Sequence, residues 1–207
     1  DEKYVDQFHA IVFLSWDSNL FIPQSRKDGY KHIYRCTLGK LVSRIASITG
    51  SLDIRQLTSV MCEGMKVLGF NRKRKSIIIA SNECSPIQRN IFLVDTQTGK
   101  RTMMDDCGKG WHNATLSESG QFVYDNYSTP DVPRKIAIVN TENGKRTAYF
   151  TAENPWKGYN VPEYSCGTVK AADGETDLYW RMVKPTNFDP AKKYPTIIYV
   201  YLLLIKI

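Results

Sequence analysis

Two stretches of this chain repeat each other 45 residues apart. Residues 89–102 read RNIFLVDTQTGKRT and residues 134–147 read RKIAIVNTENGKRT, with eight of 14 positions identical. Each reads as a strand, a Thr-x-x-Gly-Lys turn and the start of another strand, with glycine supplying the positive φ of the turn. The same offset lays SIIIASN (76–82) on QFVYDNY (121–127), and an apolar stretch with a turn precedes each. A unit is therefore about four strands long, and four strands in roughly 40–45 residues is the period of a propeller blade.

A longer first unit lies upstream. KHIYRCTLGK (31–40) matches NIFLVDTQTGK in kind, but Ile33 and Ile91 are 58 residues apart, so an insertion is expected near SLDIRQLTSVMCEG (51–64). RKDG (26–29) reads as a hairpin corner that leads HIY into the next strand. Residues 10–150 are thus expected to form consecutive four-stranded antiparallel blades, with Gly99 and Gly144 in equivalent turns. Three blades do not close a ring, and a blade without a neighbour leaves apolar surface open. A second copy or a complementing chain is expected to cover that rim.

After about residue 150 the character changes. TAENPWKGYNVP (151–162) carries two prolines among aromatics and reads as a crossing segment. GTVKAADGETDLYWRMVKP (167–185) reads as a hairpin turning at Asp173 and Gly174. TIIYVYLLLI (196–205) is a continuous apolar run, the pattern of a strand buried on both faces at the centre of an α/β sheet.

Charge and cysteine content narrow the function classes. The net charge of +7 comes from 28 Lys and Arg against 21 Asp and Glu, and its densest run is residues 72–75. That run sits where a hairpin turn is expected, so it reads as a solvated turn and not as a nucleic-acid patch. The five cysteines, at 36, 62, 84, 107 and 166, have no metal-ligand spacing and form no evident disulfide framework. Neither a metal nor a cofactor is expected. The chain starts without Met, carries no leader and no apolar run of about 20 residues, and reads as a piece of a longer polypeptide with no membrane segment of its own.

Five segments, in order, resemble the dipeptidyl peptidase IV branch of the prolyl oligopeptidase superfamily of serine peptidases. FIPQSRKDGYKHIYR is similar to its S-x-R-D-G-x-x-H-L-Y blade, and ITGSLDI to L-T-x-G-x-W-x-V, with Leu52 for the Trp. SPIQRNIFLV is similar to S-P-x-x-R-H-L-Y-x-V, and GKGWHNATLSESGQFVYDNYSTPDVP to G-x-H-x-A-x-F-S-x-D-G-x-Y-F-V-x-x-Y-S-x-x-x-x-P. Residues 169–201 are similar to the entry into its hydrolase domain. The fold class implied is mainly β. Residues 1–150 would be the last blades of a partial β-propeller of four-stranded antiparallel blades. Residues 151–207 would be a crossing segment and the truncated start of an α/β-hydrolase domain.

The resemblance implies a serine exopeptidase that takes a peptide substrate and releases N-terminal dipeptides after Pro or Ala. It also implies a secreted, periplasmic or cell-envelope location. In that family a Tyr at the position of Tyr201 helps bind the oxyanion, a preorganised donor aimed at charge that develops in the transition state. The family continues from this Tyr into Gly-Gly-Pro, whereas this chain reads Leu202, Leu203, Leu204 and cannot copy that turn. Tyr201 is thus a catalytic candidate only within a complete protein.

The remaining candidates read as structural. No Gly-x-Ser-x-Gly elbow occurs. The only candidate bases are His9, His32 and His112; the last two sit at strand entries, where histidines often bond a turn, and a triad also needs an orienting acid. Asp28 and Asp173 sit beside turn glycines, where Asp is favoured locally. The sequons at Asn113 and Asn126 read as coincidences of sequence. Two readings follow: a piece of a serine exopeptidase, inactive by itself, or a non-catalytic propeller used as an interaction module with an inert hydrolase remnant.

Overall fold

The computed structural model describes residues 11–26, 29–38, 52–60, 65–105, 110–129 and 132–200. Every regular element among them is a strand. The chain divides into two compact units between Asn154 and Pro155.

The first unit stacks three antiparallel sheets, each an up-and-down meander. In the first, β1 (Val12–Leu14) pairs with β2 (Asp17–Ile22), and β4 (His32–Leu38) receives β2 and β3 (Gln24–Ser25) on one side and β5 (Leu52–Gln56) on the other. β2 and β3 are one strand broken at Pro23. Phe21 faces Cys36 and Gln24 faces Ile33 in a single register, and the Pro23 carbonyl still accepts the Tyr34 N–H at 3.0 Å. Proline has no N–H to give the ladder, so the sheet is a four-stranded blade with one interrupted strand. The corner before β4 closes with the Gly29 N–H on the Arg26 carbonyl at 2.8 Å and Gly29 at φ +95°. The hairpin expected at RKDG is there, although Asp28 itself lies outside the described residues. Within the stretch near which an insertion is expected, the segment LDIRQ is the outer strand β5.

The second sheet is β6 (Lys66–Asn71), β7 (Ser76–Ser81), β8 (Asn90–Asp95) and β9 (Arg101–Met103). The third is β10 (Trp111–Leu116), β11 (Phe122–Thr129), β12 (Val132–Asn140) and β13 (Arg146–Thr151). Gly99 and Gly144 occupy the same turn. Each donates its N–H back to the residue that ends the preceding strand, Asp95 and Asn140, at 2.9 and 2.8 Å, with φ +76° and +73°. The side chains of Asp95 and Asn140 accept the next backbone N–H groups, so both turns are fixed by the same local bonds.

One feature of the repeat is displaced by a residue. Asp95 and Asn140, the ends of β8 and β12, are 45 apart, but their partners across the ladder, Ser76 and Phe122, are 46 apart. A one-residue slip reverses which side chains face which layer. The true equivalent of Ile77 is therefore Val123, not Phe122 as the 45-residue offset suggests. The connection from second to third strand is one residue shorter in the third sheet, Phe122 to Asn140, than in the middle sheet, Ser76 to Asp95, and β11 and β12 carry a bulge after Tyr127.

Packing follows the alternation of strands between layers. Ile77, Ile79, Phe92 and Val94 of the middle sheet pack on Leu14, Leu20, Ile22 and Ile33 of the first. The intervening Ile78, Ile91 and Leu93 pack on Ala114, Val123 and Val139 of the third. Being covered on both faces, β7 is buried at every position. At 25 cal/mol per Å² of apolar surface, each fully buried Ile contributes roughly 1.5–3 kcal/mol.

The second unit holds one hairpin, β14 (Glu163–Lys170) with β15 (Asp177–Lys184), turning through Asp173 and Gly174 as expected. Asp173 accepts bonds from the Glu175 and Thr176 backbones at 2.9 Å, and Gly174 sits at φ +72°. Trp180 lies across Gly167, where a Cβ would have no room. The apolar run after it behaves differently from the buried strand expected. Residues 195–200 form no strand, and Ile197 is 95% exposed.

Two glycine turns make a sharp comparison. A Cβ on Gly120 (φ +70°) would strike the Phe70 carbonyl oxygen of the neighbouring sheet, whereas one on Gly144 (φ +73°) meets nothing within 4 Å. Gly144→Ala is expected to cost about 1 kcal/mol, the conformational penalty alone. Gly120→Ala is expected to add about 1–3 kcal/mol of steric displacement between sheets. Urea unfolding midpoints of the two variants read this directly, and equal losses would contradict the packing of that turn.

Candidate functional site

The most concentrated chemistry in the described chain is a buried cluster on the face of the third sheet that meets the second. His112 Nδ1 lies 2.8 Å from Asp125 Oδ2, and the same oxygen accepts from Arg146 Nη2 at 2.7 Å. The His112 and Asp125 side chains are fully buried, and Arg146 is nearly so. Tyr127 stacks on His112 with ring centroids 4.7 Å apart, and the Arg146 guanidinium sits over the same tyrosine ring at 4.7 Å. The backbone ties the cluster to the second sheet: the His112 N–H reaches the Arg89 carbonyl, and the Arg89 N–H the Gly110 carbonyl, each at 3.0 Å.

Strand alternation assembles this cluster. His112 faces Tyr127 across β10 and β11, and Ala114 faces Asp125, so His112, Asp125 and Tyr127 share one face. Arg146 enters from β13, opposite Val139. With the 46-residue equivalence, Asp125 stands where the middle sheet has Ile79. By continuation of the register, His112 stands where that sheet has Met65. Both apolar counterparts belong to the core between the first and second sheets. One blade junction is thus apolar, and the next carries a carboxylate flanked by an imidazole and a guanidinium. Arg101, the counterpart of Arg146, is paired instead with Glu83 at 2.8 Å.

His112 and Asp125 have the outward form of a base and its orienting acid. Their burial gives the pair no face toward solvent or substrate, so its chemistry is structural: one carboxylate neutralises Arg146 and fixes the imidazole. Reading the sequence for histidines at strand entries anticipated a structural His112 but assigned its bond to a turn; the partner is a strand carboxylate. Asp125 was missed. The one signal for it was the register-corrected repeat, which puts Asp125 where the adjacent unit has isoleucine.

The other candidates lie apart. His32 starts β4 and is buried, and its Nδ1 has no hydrogen-bond partner among the described residues. Asp173 is a surface turn residue whose carboxyl is held below its ordinary value, first by the Thr176 hydroxyl and then by the Thr176 and Glu175 backbones. At Asp95 partial burial acts to raise the carboxyl, but bonds from Thr98 and Gln97 outweigh it and hold it low. Burial, with Glu83 and Asp105 nearby, pushes the Cys84 thiol up, the opposite of a reactive thiolate. Asn113 and Asn126 face each other across β10 and β11, and Asn126 accepts from Arg134 Nε at 3.0 Å. Tyr201, His9 and Asp28 lie outside the described residues.

The basic run is a working turn. Lys73 pairs with Glu142 at 3.0 Å, Arg74 Nη1 donates to the Glu142 carbonyl at 2.7 Å, and Asn71 Nδ2 bonds the Thr141 hydroxyl at 2.7 Å. These contacts clasp the second sheet to the third. Arg55 does the same between first and second, donating to the Gln97 carbonyl at 2.7 Å.

Stacked four-stranded antiparallel sheets joined face to face are propeller blades, with no exposed catalytic constellation among the described residues. The chain belongs to the family described as the dipeptidyl peptidase IV (DPP IV) N-terminal region, whose model matches residues 1–134. It is similar to dipeptidyl peptidase 8 of Homo sapiens, 23% identical over 220 residues and 95% of this chain, and to dipeptidyl peptidase 4 of Trichophyton equinum, 26% identical over 186 residues and 87% of this chain. Among solved structures, one described as a dipeptidyl aminopeptidase IV from Bacteroides ovatus superposes with a TM-score of 0.72 at 40% identity over 92% of this chain. Porphyromonas gingivalis dipeptidyl peptidase 4, at 24% identity and a TM-score of 0.69, shares the fold over 90% of the chain. The chain spans about a quarter of the length of these relatives, from 22% to 28%.

Asp125 bonds both His112 and Arg146, so its removal takes a buried bond from each. Asp125→Ala is expected to destabilise the first unit by about 3–5 kcal/mol, read as a fall in the denaturant midpoint. The triple variant His112→Met, Asp125→Ile, Arg146→Met, which imitates the apolar junction, is expected to recover most of that loss. A loss below about 1 kcal/mol for Asp125→Ala would show that the cluster does not hold the junction.

Proposed function

We propose that this chain is the part of a dipeptidyl peptidase IV-like serine exopeptidase that supplies propeller blades and the approach to the hydrolase domain, and that the whole enzyme releases N-terminal dipeptides after Pro or Ala. The reading is carried by the blade stack whose sequence matches the family model from residue 1 to 134. The hairpin β14–β15, following the blades after a proline-containing connection, supports it further. In this reading the blades form a wall that restricts which peptides reach the catalytic groups, so that selectivity by size belongs to this segment and bond cleavage to another.

The chain has no Gly-x-Ser-x-Gly, and the one well-formed His–Asp pair among its described residues is sealed in a blade junction. Acyl transfer requires a nucleophile, a base and an orienter within mutual reach and open to substrate. An oxyanion donor alone, the part assigned to Tyr201, has no intermediate to stabilise. The purified 207-residue chain is therefore expected neither to hydrolyse a Xaa-Pro reporter peptide nor to be labelled by a serine-directed phosphonate, while the full product of its gene does both. Stoichiometric labelling of the 207-residue chain would refute the assignment of catalysis elsewhere. A full gene product inert to both reagents would favour the non-catalytic module.

A further inference from the structure

One asparagine of this chain is followed by glycine, Asn143, and the structure puts it in the turn between β12 and β13. Asparagine is a thermolabile residue, and a following glycine has no Cβ to shield the backbone nitrogen that can attack the side-chain amide. Asn143 is exposed, and a Cβ built on Gly144 would meet nothing within 4 Å beyond its chain neighbours. Asn143 Oδ1 accepts the Lys145 N–H at 2.9 Å, which draws electrons from the amide carbon. One contact opposes reaction: the Gly144 N–H is donated to the Asn140 carbonyl at 2.8 Å. β13 is the outer strand of its sheet, paired with β12 alone among the described residues, so the turn opens locally and releases that bond without global unfolding.

Two comparisons inside the chain single this residue out. Thr98 holds the same place before Gly99 in the middle sheet, with the same backbone bond, so the turn itself does not require asparagine. Thr98 is exposed although its sheet is covered on both faces, so exposure at this place comes from the turn and not from an open end of the stack. Asp173–Gly174 offers a similar pair of reacting atoms. There, bonds from the Thr176 hydroxyl and from the Thr176 and Glu175 backbones hold Asp173 as a carboxylate, which repels a nucleophile.

We propose that Asn143 is a site of spontaneous deamidation, and that its isoaspartyl product loosens the clasp between the second and third sheets. Hydroxide takes the proton of the Gly144 N–H, and the nitrogen bonds to Asn143 Cγ. The Cγ–Nδ2 bond breaks, and Nδ2 leaves as ammonia with a proton from water. Water then opens the succinimide ring at either carbonyl. The product is aspartate, or an isoaspartate whose backbone runs through the former side chain. The isoaspartate lengthens the turn directly after Glu142, whose carboxylate pairs with Lys73 at 3.0 Å and whose carbonyl accepts from Arg74 Nη1 at 2.7 Å.

Incubation of the 207-residue chain in mildly alkaline buffer tests this, with far-UV circular dichroism showing that the chain stays folded. Peptide mass spectrometry and labelling by an isoaspartyl methyltransferase locate the product. Conversion at Asn143 is expected to run several-fold faster than at Asn113, Asn126 or Asp173 and to quicken as pH rises. Asn143→Thr, which copies Thr98, is expected to abolish the labelling. The isoaspartyl form, separated by ion exchange, is expected to unfold at lower denaturant than Asn143→Asp, which adds the same charge without lengthening the backbone. An Asn143 that survives as long as Asn113 overturns the site. Equal denaturant midpoints for the isoaspartyl form and Asn143→Asp overturn the loosening of the clasp.

Discussion

Every other feature of the first unit depends on the middle sheet being covered on both sides. Its second strand is apolar at four consecutive positions, Ile77 to Ala80, and all four are buried. In a sheet with one wet face this run would put alternate side chains in water. Only a stack of at least three layers satisfies it, and the odd and even residues then belong to different cores. The flanking sheets show the more usual pattern: β11 alternates between exposed and buried from Phe122 to Tyr127, because only one of its faces has a neighbour.

Apolar area drives the layers together, but it does not fix their register, and polar contacts at each junction supply that. Arg55 and Arg74 each reach a backbone carbonyl in the turn of the following sheet, and Asn71 and Thr141 bond across the second junction. Exposed charge pairs such as Lys73 with Glu142 add little. The buried His112–Asp125–Arg146 cluster is different in kind. It exchanges the hydrophobic contribution of Met65 and Ile79 at the other junction for directional bonds, and directional bonds distinguish one docking arrangement from another more sharply than methyl groups do. The two junctions of one stack thus have different physical bases, though the blades share a repeat.

The repeat, the glycine turns at Gly99 and Gly144, the corner at Gly29 and the hairpin at Asp173–Gly174 were all legible in the sequence. Each is encoded locally, by a residue whose backbone freedom or side-chain bond determines the turn. Three things were not legible. The one-residue slip between Ile77 and Val123 escaped because strand pairing, not sequence offset, sets which face a side chain takes. The strand β5 was masked by the irregular length of the first unit. The run from Thr196 to Val200 has the same apolar signature as Ile77–Ala80 yet lies exposed, because burial is a property of the neighbours and not of the run. At the candidate site, His112 was visible as a strand-entry histidine. Its partners Asp125 and Arg146 were not, since they come from other strands, 13 and 34 residues further along.

The doubly covered middle sheet holds the stack together. Native-state hydrogen exchange measures this residue by residue, because amides in the most stable cooperative unit open only with global unfolding. The slowest exchange is expected in Ile77–Ala80 and Ile91–Val94, with β13 and the β14–β15 hairpin opening at lower free energy. Middle-sheet amides that exchange as fast as those of β13 would contradict it.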